Sequence, residues 1–381
     1  MDGKESKMAG VRGEIYMKKE KIVLWGTGRI AREILSNSCF FENEIQIICV
    51  VDNDFTRWGK KIYEKNIMEP SCLKSIEFDK IVIASEIFFE EIQNTIIEEM
   101  HIEKSLIENR FYFAKVKLMA RYKNVQDKEI KAITDYLDNH RLKIFNYNFA
   151  KKYNNMIADI HYDDSVEMYY VMHFGKKMYM SPQLDTREKV LNYYRSICME
   201  QDEQSPHAYL SEQFVVNNGD VVVDVGVAEG NFSLQVIEKA SKIYMIETDN
   251  DWIKALKCTF KKYMDKVVII NKFVSDYTFG SIDTLDNLIN EKVNFIKMDI
   301  EGCESEALLG ASQLIEQSDK LCCAVCAYHR DNDEVCINEI AKNLGMKGYS
   351  VKGYMWYPVG RKQCYISPVF RRGVIRYEKR S

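Results

Sequence analysis

The residues best suited to chemistry stand where apolar runs end. VVVDVGVAEGNFSL, from Val221 to Leu234, passes from a buried-strand pattern through Asp224, Gly226, Glu229 and Gly230 into an amphipathic helix pattern. Glycines at the carboxyl end of a first strand let the backbone approach a ligand, and the helix start beyond them offers free N–H groups. Further on, about 20 residues along, a carboxylate ending the second strand bonds a ribose diol, and KIYMIETD supplies Glu247 there. The spacing suits a nucleoside ligand, although such turns also occur for packing alone. Asp224 would repel a pyrophosphate and suit an ammonium group, which favours S-adenosylmethionine over NAD.

Three more acidic or basic groups fall at strand ends. In NFIKMDIEG, Asp299 and Glu301 are two apart, so an extended backbone would project both to one face. They could serve as a general base, or hold a divalent cation through hard oxygen ligands. Glu304, at the start of the next helix pattern, reads as a complement to its dipole. His329, in CAVCAYHRDND, has the side chain best matched to general-base work near neutral pH. His207 and Tyr209, in SPHAYL, read as cleft contacts only. No histidine cluster suggests a dedicated metal site, and Cys323 and Cys326, three apart in an apolar strand, read as core rather than as zinc ligands.

The elements that must position these groups alternate strand and helix. Strands are expected at Ile22–Trp25, Ile45–Val51 and Lys80–Ala84, with helices at Ile30–Leu35 and Ile87–Met100. From Gly219 the alternation returns, with strands at Val221–Val225, Ile243–Ile246, Val267–Ile270, Phe295–Met298 and Leu321–Tyr328. That pattern predicts two doubly wound parallel sheets. The domains expected are 20–110, Rossmann-like; 111–204, a mainly helical connector whose aromatic residues pack a helical layer; and 205–381, the domain of the second glycine loop. YSVKGYMWY and QCYISPV, joined by PVGRK, are expected to close the last sheet as an antiparallel hairpin. The tail FRRGVIRYEKR, with Arg371, Arg372, Arg376, Lys379 and Arg380, reads as solvated, with phosphate contact as its other use.

A first glycine loop, LWGTGRIAREIL, carries Gly26 and Gly28, and CVVDND places Asp52 at the end of the second strand. These form a nucleotide-site fingerprint with Ala31 in place of a third glycine. No hydride-transfer chemistry follows it.

Of the 381 residues, 53 are Lys or Arg and 57 Asp or Glu, so no excess of positive charge points to nucleic acid or an anionic membrane. Eleven scattered cysteines fit a reducing cytoplasm. The polar opening, residues 1–20, lacks a signal-peptide core, and no apolar run reaches the ~18 residues of a membrane span.

The combination DVGVAEGNFSL, IETD, TLDNL, NFIKMDIEGCESEALLGA and YHR resembles the FkbM-type methyltransferases from about Thr186 to the C-terminus. The resemblance implies a class I methyltransferase sheet, S-adenosylmethionine as donor, and a sugar or other hydroxyl as acceptor, in surface polysaccharide or natural-product synthesis. It further implies that Asp224, Gly226 and Gly230 cradle the methionine part, that Glu247 meets the ribose, and that Asp276 lies near the adenine. Glu229 departs from the Asn common in the family. Residues 21–109 are similar to Rossmann-like domains attached to sugar-modifying enzymes, which bind a nucleotide or nucleotide-sugar or support their neighbour. An O-methyltransferase using Asp299, His329 and Glu301 is therefore expected. The alternatives are an NAD-linked oxidoreductase or a nucleotide-sugar-binding module acting through Gly26, Gly28 and Asp52.

Overall fold

Strand β1 (Glu20–Trp25) is apolar on both faces, and both are buried: Ile22 and Leu24 pack in one cluster, Val23 and Trp25 in another. Such a strand must lie between two helical layers, the condition that a doubly wound sheet satisfies. The computed structural model describes residues 19–358 and 363–380. The opening segment up to residue 18 and most of the PVGRK turn lie outside them. By its contacts the chain divides into two compact units, Met1–Lys123 with Gly360–Pro368, and Asn124–Val359 with Val369–Ser381.

In the first unit β1 leads into α1 (Arg29–Ser36), β2 (Ile45–Val51), β3 (Lys61–Ile62), β4 (Lys65–Met68), β5 (Lys80–Ile83), α2 (Phe89–Glu98), β6 (Ile107–Asn109) and α3 (Tyr112–Arg121). The sheet order is β3-β4-β2-β1-β5-β6, parallel except for the β3–β4 pair. The segment QCYI, expected as a strand, is a short helix, Gln363–Ile366, whose Tyr365 packs with Phe41 in this unit's core.

The second unit opens with α4 (Lys128–Leu137), capped by Asp127, whose carboxylate accepts the N–H groups of Glu129 and Ile130. The region expected to be mainly helical then forms a three-stranded antiparallel sheet, β7 (Ile160–Asp163), β8 (Met168–His173) and β9 (Lys176–Tyr179), before α5 (Arg187–Glu200). In this segment Phe174 and Gly175 take positive φ between β8 and β9, a hairpin turn that polar-aromatic composition concealed.

The main sheet follows from β10 (Val221–Val225), α6 (Asn231–Val236), β11 (Lys242–Ile246), α7 (Asn250–Thr259), β12 (Val267–Ile270), the small pair β13 (Phe273–Val274) and β14 (Ile282–Asp283), α8 (Leu285–Leu288), β15 (Phe295–Met298), α9 (Glu304–Leu309), α10 (Ser312–Gln317), β16 (Lys320–Cys326), α11 (Asp333–Asn343) and β17 (Lys347–Ser350). A short pair, β18 (Met355–Trp356) and β19 (Phe370–Arg371), precedes the last strand, β20 (Val374–Arg380). The order is β12-β11-β10-β15-β16-β20-β17. From β12 to β16 neighbours are parallel, and β20 runs antiparallel to both β16 and β17. The chain reverses its winding between β10 and β15, which opens a ligand crevice at their carboxyl ends.

The antiparallel closure therefore exists, but the tail provides it instead of QCYISPV. Four of its cations are held by the fold. Arg376 is buried and donates to the carbonyl oxygens of Ala208, Tyr209 and Leu210, while Arg372 bonds Glu129 at 2.5 Å and stacks on Tyr354. Arg371 pairs with Asp331, and Lys379 donates to the carbonyls of Ile315 and Glu316. Among the described residues no helix is long and apolar enough to cross a membrane.

Replacing Arg376 by Ala leaves three carbonyls, two of them buried, short of a charged donor, so urea unfolding should show a loss of about 2–4 kcal/mol, against under about 0.5 for a solvated tail cation.

Candidate active site

Gly226 follows β10 at φ +74°, and a Cβ there would lie 1.9 Å from the carbonyl oxygen of Asp299. Only glycine allows the first loop of the main sheet to lie this close to the end of β15. Gly230 also has positive φ, and a Cβ on it would press on Leu256 and Phe260. Next to this loop is a cavity of about 300 Å³, lined by Gly226, Ala228, Glu247, Trp252, Asp299 and Glu301 among others. That volume is at the lower end of the range for small-molecule sites, about 300–1,000 Å³.

Glu247 ends β11 and is fixed before any ligand arrives. Its Oε2 accepts the N–H of Ala228 at 2.9 Å, and its Oε1 accepts those of Thr248 and Asp249. Oε1 is thereby filled, and Oε2 keeps a further acceptor site for a ribose hydroxyl. The loop's donors are partly used up in this way, and α6 is only six residues long. Asp276 is exposed and does not line the cavity, where Lys272, Phe273 and Val274 stand instead.

Asp224 does not line the cavity either. It is fully buried beneath the loop, where Ser233 Oγ donates to it at 2.7 Å and Lys297 Nζ lies at 3.1 Å. The charge that was expected to meet an ammonium group is thus compensated inside the protein. Burial opposes the charge on Lys297, but Asp224 and Asp299 outweigh it and hold the amine protonated. Lys297 also donates to the carbonyl oxygen of Gly226 at 2.5 Å, which ties β15 to the loop.

Asp299 reaches the cavity from β15, its side chain 19% exposed. Tyr209 donates to its Oδ2 at 2.6 Å, Tyr328 stands 3.4 Å from Oδ1, and the Nε2 atoms of His207 and His329 lie 3.6 and 3.5 Å from the carboxylate. Burial alone would raise its pKa, yet His207, Lys297 and His329 outweigh that and bring it to about 2. It is an anion at every working pH. His207 is driven the other way, down to about 4, chiefly by burial, so its imidazole is neutral. Tyr209 and His207, expected from sequence as cleft contacts only, are central to this network.

His329 sits between carboxylates. Its Nδ1 is 2.9 Å from Oε1 of Glu304, which is fully buried and also accepts the N–H of Ile300. Burial lowers the His329 pKa, but Glu304 and Asp299 more than offset this and raise it above the ordinary histidine value. Glu304 stands in the first turn of α9, where it complements the helix dipole as expected, and it is also a positioning residue for the His329 ring. Glu301 departs from the extended geometry expected of it. Its φ is +56°, the strand has already ended at Met298, and its side chain is 83% exposed. It does not converge with Asp299 as a ligand pair.

Sequence reading missed Glu200, Tyr193 and Lys297. Glu200, in the last turn of α5, is pushed up to about 8 by burial first and then by Asp299 and Glu229. Tyr193, two turns earlier in α5, donates to buried Glu229 at 2.5 Å. Nothing in α5 marks these residues, but a lone lysine inside FIKM was a signal, since a cation in a fully buried strand needs a partner.

Among the described residues two groups of side chains are spaced for a metal, His207 with Asp299 and Cys326, and Asp299 with Glu304 and His329. Burial keeps the Cys326 thiol protonated, and in the second group His329 Nδ1 already faces Glu304 Oε1 at ion-pair distance, 2.9 Å. The chemistry of neither set supports the divalent cation considered from Asp299 and Glu301. Cys323 and Cys326 are free, fully buried thiols in β16.

Comparison with known families now bears on this site. Residues 205–349 match the family described as Methyltransferase FkbM domain. The second unit carries an FkbM methyltransferase domain. The protein is accordingly an S-adenosylmethionine-dependent methyltransferase, with the FkbM segment running from Ser205, ahead of β10, to β17. Residues 18–108 match a different family, described as C2185-like, N-terminal. Among solved structures the chain is similar to a methyltransferase FkbM from Methylobacillus flagellatus, with 17% identity over 94% of this chain and 90% of that one and a TM-score of 0.45. It is also similar to a protein of Streptococcus mutans in complex with SAH, with 15% identity over 43% and 91% and a TM-score of 0.30. A SAM dependent methyltransferase from Aquifex aeolicus gives 16% identity over 47% and 90%, with a TM-score of 0.29. No curated protein sequence matches.

The residues present fit the donor that the FkbM domain implies, since Gly226 and Glu247 line one cavity and Glu247 keeps a fixed acceptor there. Lys297→Met leaves Asp224 buried without its cation and should cost about 3–5 kcal/mol in chemical denaturation. Adding Asp224→Leu should recover part of that loss.

Proposed function

We propose that the second unit methylates a hydroxyl of a sugar or glycoconjugate, with Asp299 as the group that receives the acceptor hydroxyl. The observation that carries this reading is the position of Asp299. It is the one charged end of β15 that both lines the cofactor cavity and lies within hydrogen-bonding range of a tyrosine and ion-pair range of two histidines. Bound S-adenosylmethionine would supply an electrophilic methyl group on a sulfonium centre. What remains for the protein is to align an oxygen with it and to take up a proton.

Asp299 is too weakly basic to keep that proton, but as a fixed anion it accepts a hydroxyl hydrogen bond and orients the oxygen. His329, whose Nε2 lies 3.5 Å from Oδ1, is the nearest group able to hold the proton at neutral pH. Glu304 on Nδ1 sets the ring's orientation and raises its basicity. Asp299 and Glu301, which both line the cavity, give the acceptor side two carboxylates, which suits a polyol. A nucleotide-linked sugar acting in surface polysaccharide or natural-product synthesis is consistent with this acceptor class.

Labelled S-adenosylmethionine incubated with sugars and nucleotide-sugars should yield an alkali-stable methyl ether, and label found only on nitrogen or as a base-labile ester would contradict the proposal. Asp299→Asn should lower kcat by about 10²- to 10⁴-fold while binding of S-adenosylhomocysteine persists. Because His329 must be neutral to take the proton, the rate should rise with pH through an apparent pKa above the ordinary ~6.5. His329→Gln should remove that rising limb.

A further inference from the structure

The first unit contains a second crevice, which the methyltransferase reading leaves unused. Its glycine loop carries two adjoining cavities that share Thr27, Gly28, Arg29 and Arg57. One, of about 620 Å³, lies on the β2 side and is lined by Arg29, Arg32, Arg57, Lys60 and Lys61, with no carboxylate among its lining residues. The other, of about 520 Å³, lies on the β5 side and is lined in part by Ile87, Phe88 and Ile92. Ile87 is 89% exposed and Phe88 56%, an unusual outlay of apolar surface at the end of a central strand.

The acid expected to meet a ribose is already engaged. Asp52 Oδ2 accepts from the Thr27 hydroxyl at 2.5 Å, and its Oδ1 accepts the N–H of Asp54. Arg57 bonds Thr27 and reaches both Asp52 and Asp54. The guanidinium is thereby fixed across the loop, so that the group facing a ligand here is a cation and not a carboxylate. Arg32 and Lys60 have no ion-pair partner among the described residues, and Arg29 and Lys61 have only long, exposed ones, 3.7 Å to Glu33 and 3.4 Å to Glu64. Helix α1 starts at this point without a side-chain cap. Like charges gathered in one cavity, Arg32 and Lys60 among them without a partner, repel one another, and an anion is the ligand that relieves this.

We infer that the first unit binds a phosphorylated nucleotide, its phosphate held in the β2-side cavity by Arg29, Arg32, Arg57, Lys60 and Lys61 and its planar base lying toward Ile87 and Phe88. Arginines suit this role because the guanidinium meets a phosphate through paired donors. The site is separate from the methyl-donor cavity of the second unit, and its occupancy does not depend on which acceptor is methylated.

Calorimetric titration of the full chain with two pairs of probes tests this inference: NADP against NAD, which differ by one phosphate, and UDP against uridine. In at least one pair the more phosphorylated member should bind 10-fold or more tightly, and the advantage should shrink as salt rises from about 0.05 to 0.5 M. Arg32→Glu combined with Lys60→Glu should abolish the advantage. Arg32→Gln with Lys60→Gln, milder changes at exposed positions, should reduce it if the reversal perturbs folding. Equal affinities within both pairs, no binding of any probe at about 1 mM, or a phosphate preference indifferent to these substitutions overturns the inference.

Discussion

The buried pair of Lys297 and Asp224 is the interaction on which the second unit's site depends. It joins the two strands between which the winding of the sheet reverses, and the same lysine donates to the carbonyl oxygen of Gly226. A buried ion pair seldom adds much stability compared with apolar residues of the same volume, but losing one member is costly. Its effect here is geometric. It fixes how closely the glycine loop approaches the end of β15, and therefore where Asp299, two residues after Lys297, stands relative to the cavity.

From that constraint follows a division of labour among groups of like type. Asp224, fully buried, and Asp299, partly exposed, are carboxylates near the same lysine. Asp224 spends its charge inside the sheet, whereas Asp299 stays open to the cavity with two histidines and two tyrosines around it. The histidines divide in the same manner. Burial makes His207 a neutral hydrogen-bonding wall, while Glu304 makes His329 a basic one. Environment, more than residue type, assigns these roles.

Much of this was legible before any coordinates. The runs Ile45–Val51, Val221–Val225, Val267–Ile270 and Phe295–Met298 become strands with those same limits because continuous β-branched or apolar residues bounded by turn signals have few other stable states. The glycine loop and Glu247 could be placed because their spacing is dictated by strand and helix lengths. What stayed hidden depends on distant parts of the chain meeting. Tyr209 bonding Asp299 and Tyr193 bonding Glu229 link segments that no local pattern connects. Glu301 was misplaced because one residue at φ +56° ends the alternation on which its expected direction relied. The tail FRRGVIRYEKR was misread because its charges outnumber its apolar residues, although Val374, Ile375 and Tyr377 are the buried positions that make it a central strand.

The most direct measurement of the central claim is a calorimetric titration of S-adenosylmethionine into the native chain and into Glu247→Ala. Glu247 is fixed by three backbone N–H groups at the edge of the cavity, so the account predicts one binding site in the native protein and affinity at least about 10-fold weaker in the variant, corresponding to about 1.4 kcal/mol or more. Absence of binding to the native chain, or equal affinity in the two, would contradict it.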